Sequence, residues 1–574
     1  MNRTRSRSGL TRVEKTSVED ASASFISVKP KRSNPKPESD VILLFNGATW
    51  KHDYLIEGMF QNLGYQCMAL PIPTVESFQI GKEFGNNGQC NPTYFTVGNL
   101  IKFLKELESQ GMSRKEITDQ YAFFTFGANG PCRFGMYVEE YRLALRNAGF
   151  PDFRIEIVDR DAGLNQDESN ALVDCNLDVV FGLLNAFNLG DIVTSVGYQI
   201  RPYEINPGET DQVTKECMEK LYQFMKNRPP YEVKHFPKSI KRHFPNLYEG
   251  ICYLGKFMHQ IGNNGFKRTL EYCRERFDSI QIDRTRVKPT VKITGEFWAQ
   301  TTEGEGNFNM FKFLEQEGSQ CIVEPVATWV PYLLLLVRQN AEAARTAHGV
   351  SNESLTQKLK RKIGQQWEYW MTSIQLKIGL KIFLREYDRL ARVFGDLPTH
   401  LLDQDKLADL GGRFYNTHAD GGEGHLEIAK AIYYTTQDKA HMILSVKPFG
   451  CMPSIQSDGA MTQVMSKYKD MIFLPIETSG EGEVNAHSRV QMALGEAKQK
   501  TKTEFTQTLE QSGYTLEQIR AYVADHPELK TPMYPVPHYK GLVGTAANFV
   551  KHVAERIYRE SIPKKEVPRE KIYG

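Results

Sequence analysis

The sequence contains no Cys-x-x-Cys pair, which argues against zinc ribbons and thioredoxin-type redox sites. It has no Gly-x4-Gly-Lys-Ser/Thr loop and no Gly-x-Gly-x-x-Gly fingerprint after a strand. A P-loop and a dinucleotide fold of the usual kind are therefore not expected. No apolar run is long enough to cross a bilayer, the longest block being Val330 to Val337, so no membrane span is expected. Met1 to Glu14 is basic and polar with no apolar centre, so no secretory signal is expected either. Net charge is only +2, too little for a global attraction to nucleic acid or membrane. Nine cysteines in 574 residues are too sparse for a disulfide scaffold. These absences together predict a cytoplasmic protein with reduced thiols.

What is present is an ordinary globular composition, 40% hydrophobic and 24% charged, in a chain long enough for two or three domains. Residues 1–38, rich in Arg, Lys, Ser and Pro, read as a disordered basic tail. Residues 39–165 alternate short apolar runs with amphipathic ones. Val41–Phe45, Gln66–Leu70, Tyr121–Phe126 and Phe153–Val158 read as strands, with helices between them. That alternation predicts a first α/β domain with a parallel sheet. Residues 166–285 read as a mostly helical connecting region. The strand–helix pattern restarts at Lys288 and predicts a second α/β domain over 286–500 with a helical insert. Its strands are Lys288–Thr294, Cys321–Val326, Ala440–Val446 and Asp470–Ile476, and its helix Leu355–Phe394 is expected to break near Gly379. Residues 501–574 read as a C-terminal helical return. The fold class is α/β: two Rossmann-like parallel-sheet domains with helical connecting segments and a cluster site between them. The apolar stretches 171–187 and 330–348 suit a dimer interface and core packing equally.

Three cysteines stand apart from the other six. Cys132 lies in Gly127-Ala-Asn-Gly-Pro-Cys-Arg-Phe-Gly135, Cys90 in Asn86-Asn-Gly-Gln-Cys-Asn-Pro92, and Cys451 in Lys447-Pro-Phe-Gly-Cys-Met-Pro453. None is in a periodic apolar run, and each has Gly or Pro within two residues. Glycine allows close approach of backbone to a ligand, proline fixes a turn, and a helix start offers free N–H groups to an anion. Three thiolates suit an iron–sulfur cluster with one iron left open. Zinc is the competing use if His52, His418, His425 or His487 completes the set. Cys67 and Cys321 alternate within strands, and Cys175, Cys217, Cys252 and Cys273 lie in helical runs. Those six read as small core hydrophobes.

Glu296 follows the strand around Val291–Ile293, where parallel sheets place ligand contacts. It is the candidate catalytic residue, with a helix cap as the plainer role. Arg133 beside Cys132 suits screening of a cluster's charge or a surface ion pair. Asn91, Gly130 and Gly450 flank the three thiols as supporting candidates. The runs Gly304-Glu-Gly306, Gly422-Glu-Gly424 and Gly480-Glu-Gly482 read as acidic turns or as pliable backbone near a site.

The segments Asn86–Asn99, Gly130–Tyr137, Gly295–Phe297, Pro448–Pro453 and Val484–Arg489 together resemble the acyl-CoA dehydratase activase-related proteins. These belong with the 2-hydroxyacyl-CoA dehydratases and benzoyl-CoA reductase components. The resemblance spans roughly residues 40–560. It implies a [4Fe–4S] cluster held by Cys90, Cys132 and Cys451 between two α/β domains. It implies a low-potential electron delivered by a separate ATP-hydrolysing activator of actin/hexokinase-like fold. It also implies a thioester substrate, in well-known relatives a 2-hydroxyacyl-CoA whose ketyl radical loses water. Two features depart from the family. No Asp-x-Gly-Ser/Thr phosphate loop is present, so ATP would act only through another chain. Ser454-Ile-Gln-Ser-Asp-Gly459 replaces the usual continuation of the third motif. Two further readings stand beside this one: a double-cubane reductase of small molecules, which needs more thiolates, and a non-catalytic redox-responsive scaffold that binds an activator.

Overall fold

A computed structural model describes residues 40–127, 132–158, 172–173, 176–229, 255–346, 355–395, 397–419 and 421–561. The basic tail, Gly130, Cys175, Cys252 and the stretch Tyr231–Phe244 lie outside the described residues.

The chain is α/β, with two four-stranded, all-parallel sheets among many helices. The first contains β1 (Ile42–Phe45), β2 (Gln66–Ala69), β3 (Tyr121–Phe126) and β4 (Arg154–Val158), in the order β2-β1-β3-β4. The second contains β5 (Thr290–Gly295), β6 (Gln320–Ile322), β7 (Met442–Pro448) and β8 (Phe473–Thr478), in the order β6-β5-β7-β8. The two orders are the same once the strands are counted from each start. In each sheet the winding reverses between the first and third strands, β1 and β3 or β5 and β7. A crevice opens at such a reversal beyond the carboxyl ends of the strands, which is where open parallel sheets bind ligands. β5 and β7 are buried along their whole length, as expected for strands covered on both faces.

The helical region after β4 does not stand alone. The helix Leu177–Ile200, the helix Glu209–Lys226 and the helix Asn264–Asp278 share one apolar core with the first sheet and the helix Trp50–Asn62. The end of the long helix Leu355–Ala391 joins the same core through Phe383, Tyr387 and Leu390. Leu177–Tyr203 is long and apolar enough to cross a membrane by composition, yet 78% of its most apolar window is buried inside the fold. It is the central strut of this core. The C-terminal helix Thr545–Ser561 packs on the helix Glu483–Ser512 through Phe549, Val550 and Phe505.

Four expectations need correction. Gly379 does not break its helix, which runs unbroken from Leu355 to Ala391; one interior glycine costs only about 1 kcal/mol, and its many neighbours carry it. The strand expected over Cys321–Val326 ends at Ile322. Beyond it, the N–H groups of Val326 and Ala327 donate to the Asp191 carboxylate, each at 2.7 Å, and that bond turns the chain away from the sheet. The helix starting near Val484 continues to Ser512 and crosses the boundary drawn at residue 500. The terminal helix starts at Thr545, not Tyr539, with Gly541 at φ 81° just before it.

Candidate functional site

Cys90, Cys132 and Cys451 line one chamber of about 420 Å³. Its walls come from the carboxyl ends of both sheets. Phe45, Phe126 and Val158 end β1, β3 and β4, while Glu296 follows β5 and Pro448 ends β7. The helices Trp50–Asn62, Leu177–Ile200 and Trp329–Thr346 close it through Ile56, Leu183 and Leu333.

Each of the three cysteines occupies the position just before a helical segment. Cys90 precedes Asn91–Ser109, Cys132 precedes the short turn Arg133–Met136, and Cys451 precedes Met452–Lys467. None makes a side-chain capping hydrogen bond. Ser, Thr, Asp or Asn is the usual residue there because its oxygen satisfies a free N–H. Three cysteines in that role leave helix N–H groups and their partial positive charge directed at the chamber. Pro92 and Pro453 stand in the first turns of two of these helices, where a missing N–H costs nothing.

The loops touch. The Asn91 N–H donates to the Phe449 carbonyl at 3.2 Å, and its side-chain amide donates to Thr478 Oγ1 at 3.4 Å. Arg133 donates to the Gly88 carbonyl, tying the Cys132 turn to the Cys90 loop. Gly450 has φ 79°, and a Cβ there would lie 3.3 Å from the Gln89 carbonyl oxygen. The left-handed backbone favours glycine here, and the close approach leaves little room for a side chain. Gly295 is similarly constrained: at φ 120°, any Cβ would run into the Val446 carbonyl.

Around the thiols, Tyr137 Oη lies 3.0 Å and Thr93 Oγ1 3.3 Å from Cys90 Sγ, and Ser454 Oγ donates to Cys451 Sγ at 3.2 Å. Burial pushes the Cys132 and Cys451 thiols up to about 12 and raises Cys90 against the pull of its hydroxyl neighbours. Positive charge within the chamber would favour the thiolates against this burial. Among the described residues, no group of three or more His, Cys, Asp and Glu side chains is gathered so as to hold a single metal ion. His52, His418, His425 and His487 do not line the chamber. His52 is held by Asp191 at 3.0 Å and Thr49 at 2.8 Å, and His487 stacks on Phe313.

Glu296 fills the plainer of its expected roles and also lines the chamber. One carboxylate oxygen accepts from the Ala299 N–H at 3.0 Å, capping the helix Phe297–Thr301, and the residue lines the chamber. Burial raises its carboxyl to about 7 against those backbone bonds. Although the residue keeps some exposure overall, its carboxyl is enclosed. Asp53 also lines the chamber and is raised to about 7, chiefly by burial.

The sequence reading missed the support behind these groups. Glu423, from the second Gly-Glu-Gly run, lines the chamber. It accepts from Gln300 Nε2 at 2.6 Å and pairs with Lys430 at 3.3 Å. Lys430 also meets Glu324 at 3.3 Å, and Glu324 meets Lys292 at 2.6 Å. Side-chain exposure of Lys292, Lys430, Glu324 and Glu423 is 0%, 1%, 3% and 3%; pairing favours the charged forms of Lys430 and Glu324, while burial still pulls Lys292 down and pushes Glu423 up. A second cluster fixes the Cys451 loop: Glu427 takes Lys447 at 2.8 Å, Ser445 at 2.7 Å and Ser457 at 2.5 Å. The other Gly-Glu-Gly runs, around Glu305 and Glu481, line a separate pocket beside Val75. Cys67, Cys217, Cys273 and Cys321 are buried and do not line the chamber.

Comparison of the chain with protein-family models and with curated proteins finds no match.

Proposed function

We propose that the chain is an iron–sulfur component in which Cys90, Cys132 and Cys451 hold a [4Fe–4S] cluster between two Rossmann-like halves. In this reading it takes a low-potential electron from a separate ATP-hydrolysing activator of actin/hexokinase-like fold. It uses that electron to reduce or dehydrate a (2-hydroxy)acyl-CoA-type thioester. The observation that carries the proposal is the arrangement of three uncapped N-cap cysteines on one chamber. A cubane gives each thiolate its own iron, so sulfurs spaced around a volume suit it where a single ion would need them gathered. When bound, the group supplies a one-electron donor and an open iron that polarises a carbonyl.

The remaining roles fall to this chain. The three helix starts offset negative charge on the thiolates. Tyr137, Thr93 and Ser454 offer hydroxyls to two of the sulfurs, which tunes a sulfur-bound group. Glu296, held protonated up to about pH 7, has a proton to give within the chamber. The apolar walls exclude water, which would otherwise quench a reactive species.

Iron and acid-labile sulfide should be measured per chain after strictly anaerobic purification and reconstitution. About four of each are expected, and Cys132→Ala should lose most of both while keeping its helical circular dichroism. Undiminished iron in that variant, or no iron in the parent, would overturn the proposal. Eight iron would instead favour the double-cubane reading.

A further inference from the structure

One helix carries an apolar stripe that the fold leaves in solvent. On the helix Leu355–Ala391, Trp367, Trp370, Met371, Ile374 and Ile378 are 69%, 54%, 41%, 48% and 55% exposed. At 3.6 residues per turn, Trp367, Met371, Ile374 and Ile378 fall within about 60° of one another around the axis. Ser373, Phe383 and Tyr387 are buried, and the same periodicity puts them on the opposite side. Phe383 and Tyr387 belong to the core shared with the first sheet. The helix therefore already has its packing face, and the stripe is a second one.

Scattered exposed apolar residues are ordinary, but a contiguous patch marks an interaction surface. An aromatic side chain offers roughly 150–250 Å² and an aliphatic one somewhat less, so at these exposures the five residues present on the order of 500 Å². Two such faces pressed together bury about 1,000 Å², the lower bound of a specific interface.

The spacing says what covers the stripe. Trp367, Met371, Ile374 and Ile378 step by 4, 3 and 4 residues, which is the seam of a coiled coil. That pattern reads the same from either end. Turned end for end, a second copy sets Trp367 against Ile378 and Met371 against Ile374, and each pairing occurs twice, as a two-fold interface requires. The next positions outward are Gly364 and Lys381, both exposed. The reversed copy brings them together, and the glycine leaves the lysine a path to water. Lys377, beside the seam, comes opposite the Trp370 ring, a favourable cation–π arrangement. A parallel copy would instead set Lys377 on Lys377 and Lys381 on Lys381.

We infer that the exposed seam from Trp367 to Ile378 joins a second copy of this chain as an antiparallel helix pair. The inference is independent of the chamber and of any group held there.

The test is sedimentation velocity of the full, iron-free chain in reducing buffer, from about 0.5 to 50 µM, the range suited to an interface near the lower size bound. The mass of two chains is expected at the top of that range. Ile374 lies within one turn of its own copy at the centre of the pair, so Ile374→Glu should weaken dimerisation at least about tenfold by burying like charges, with circular dichroism unchanged. Trp367→Lys and Ile378→Glu should each weaken it alone. Mixed together, these two variants should recover the dimer, because the reversed pairing puts the new lysine against the new glutamate. A parent that stays monomeric at 50 µM would overturn the inference, as would a dimer indifferent to the folded variants. Loss of the dimer in both single variants with no recovery on mixing would overturn it too. A monomer that instead sediments with phosphatidylcholine–phosphatidylserine vesicles would assign the stripe to a lipid surface and overturn it likewise.

Discussion

Replacing Glu324 by Gln should be among the most damaging single changes in this protein, although it alters one charge and almost no volume. Glu324 bridges Lys292 at 2.6 Å and Lys430 at 3.3 Å, and all three side chains are almost wholly hidden from solvent. Burial alone would raise the Glu324 carboxyl, but the two ammonium groups outweigh it and hold the carboxyl at about 2 against an ordinary 4.5. At about 1.4 kcal/mol per pH unit, that difference contributes roughly 3 kcal/mol to stability at neutral pH. Breaking a buried pair on one side typically costs about 3–5 kcal/mol, so two routes agree on a loss of about 3–4 kcal/mol. The contribution is complete above the unfolded value near 4.5 and is lost as the pH falls toward about 2. Urea unfolding followed by circular dichroism should therefore show a much lower midpoint for Glu324→Gln near neutrality. The gap should narrow in acid and change little with added salt, because interior charges are weakly screened. A variant within about 1 kcal/mol of the parent at neutral pH, the size of an exposed pair, would refute the reasoning. Lys292→Met with Glu324→Leu should recover part of the loss, since apolar replacement of a whole pair is often neutral.

Other outcomes follow from the chamber. Glu296→Gln in the iron-free protein should be more stable than the parent by up to about 3 kcal/mol in alkaline solution. The folded carboxyl sits near 7 rather than 4.5, so the parent loses stability as the pH rises between those values, and the two should converge below 4.5. Parallel unfolding profiles across that window would show that the carboxyl is solvated. Gly450→Ala should cost about 1–2 kcal/mol through its left-handed backbone. It should also speed reaction of Cys451 with a thiol reagent by pushing the loop from Gln89; an unchanged rate would mean that the two loops do not depend on each other.

Much of the succession of strands and helices along the chain was legible because parallel strands and their helices carry strong local patterns. Tyr121–Phe126 could be read directly and matches β3 residue for residue. Glycine and proline around Cys90, Cys132 and Cys451 marked loops unlike the surroundings of Cys217 or Cys321. What stayed hidden was compensation at a distance. Val291-Lys-Ile293 alternates as if Lys292 faced water, yet β5 is buried throughout and Lys292 finds its partner on another element. Nothing local to Glu423 announces Lys430 and Gln300, and a glycine-flanked Glu reads equally as a solvated turn. Asp191 likewise looks like one of several scattered polar residues in a largely apolar helix until Val326 and Ala327 fold back onto it.

The sharing of one chamber by two similarly wound sheets has a consequence for biosynthesis. Cys90 and Cys132 belong to the early half of the chain and Cys451 to the late half. The chamber therefore does not exist until β7 has been made and has joined its sheet. A ligand that grips all three sulfurs would act as a clasp between halves translated far apart, adding its binding free energy to the stability of the whole. A nascent or truncated chain would lack that clasp, and its pair of early cysteines would stay open to oxidation until the late half arrives.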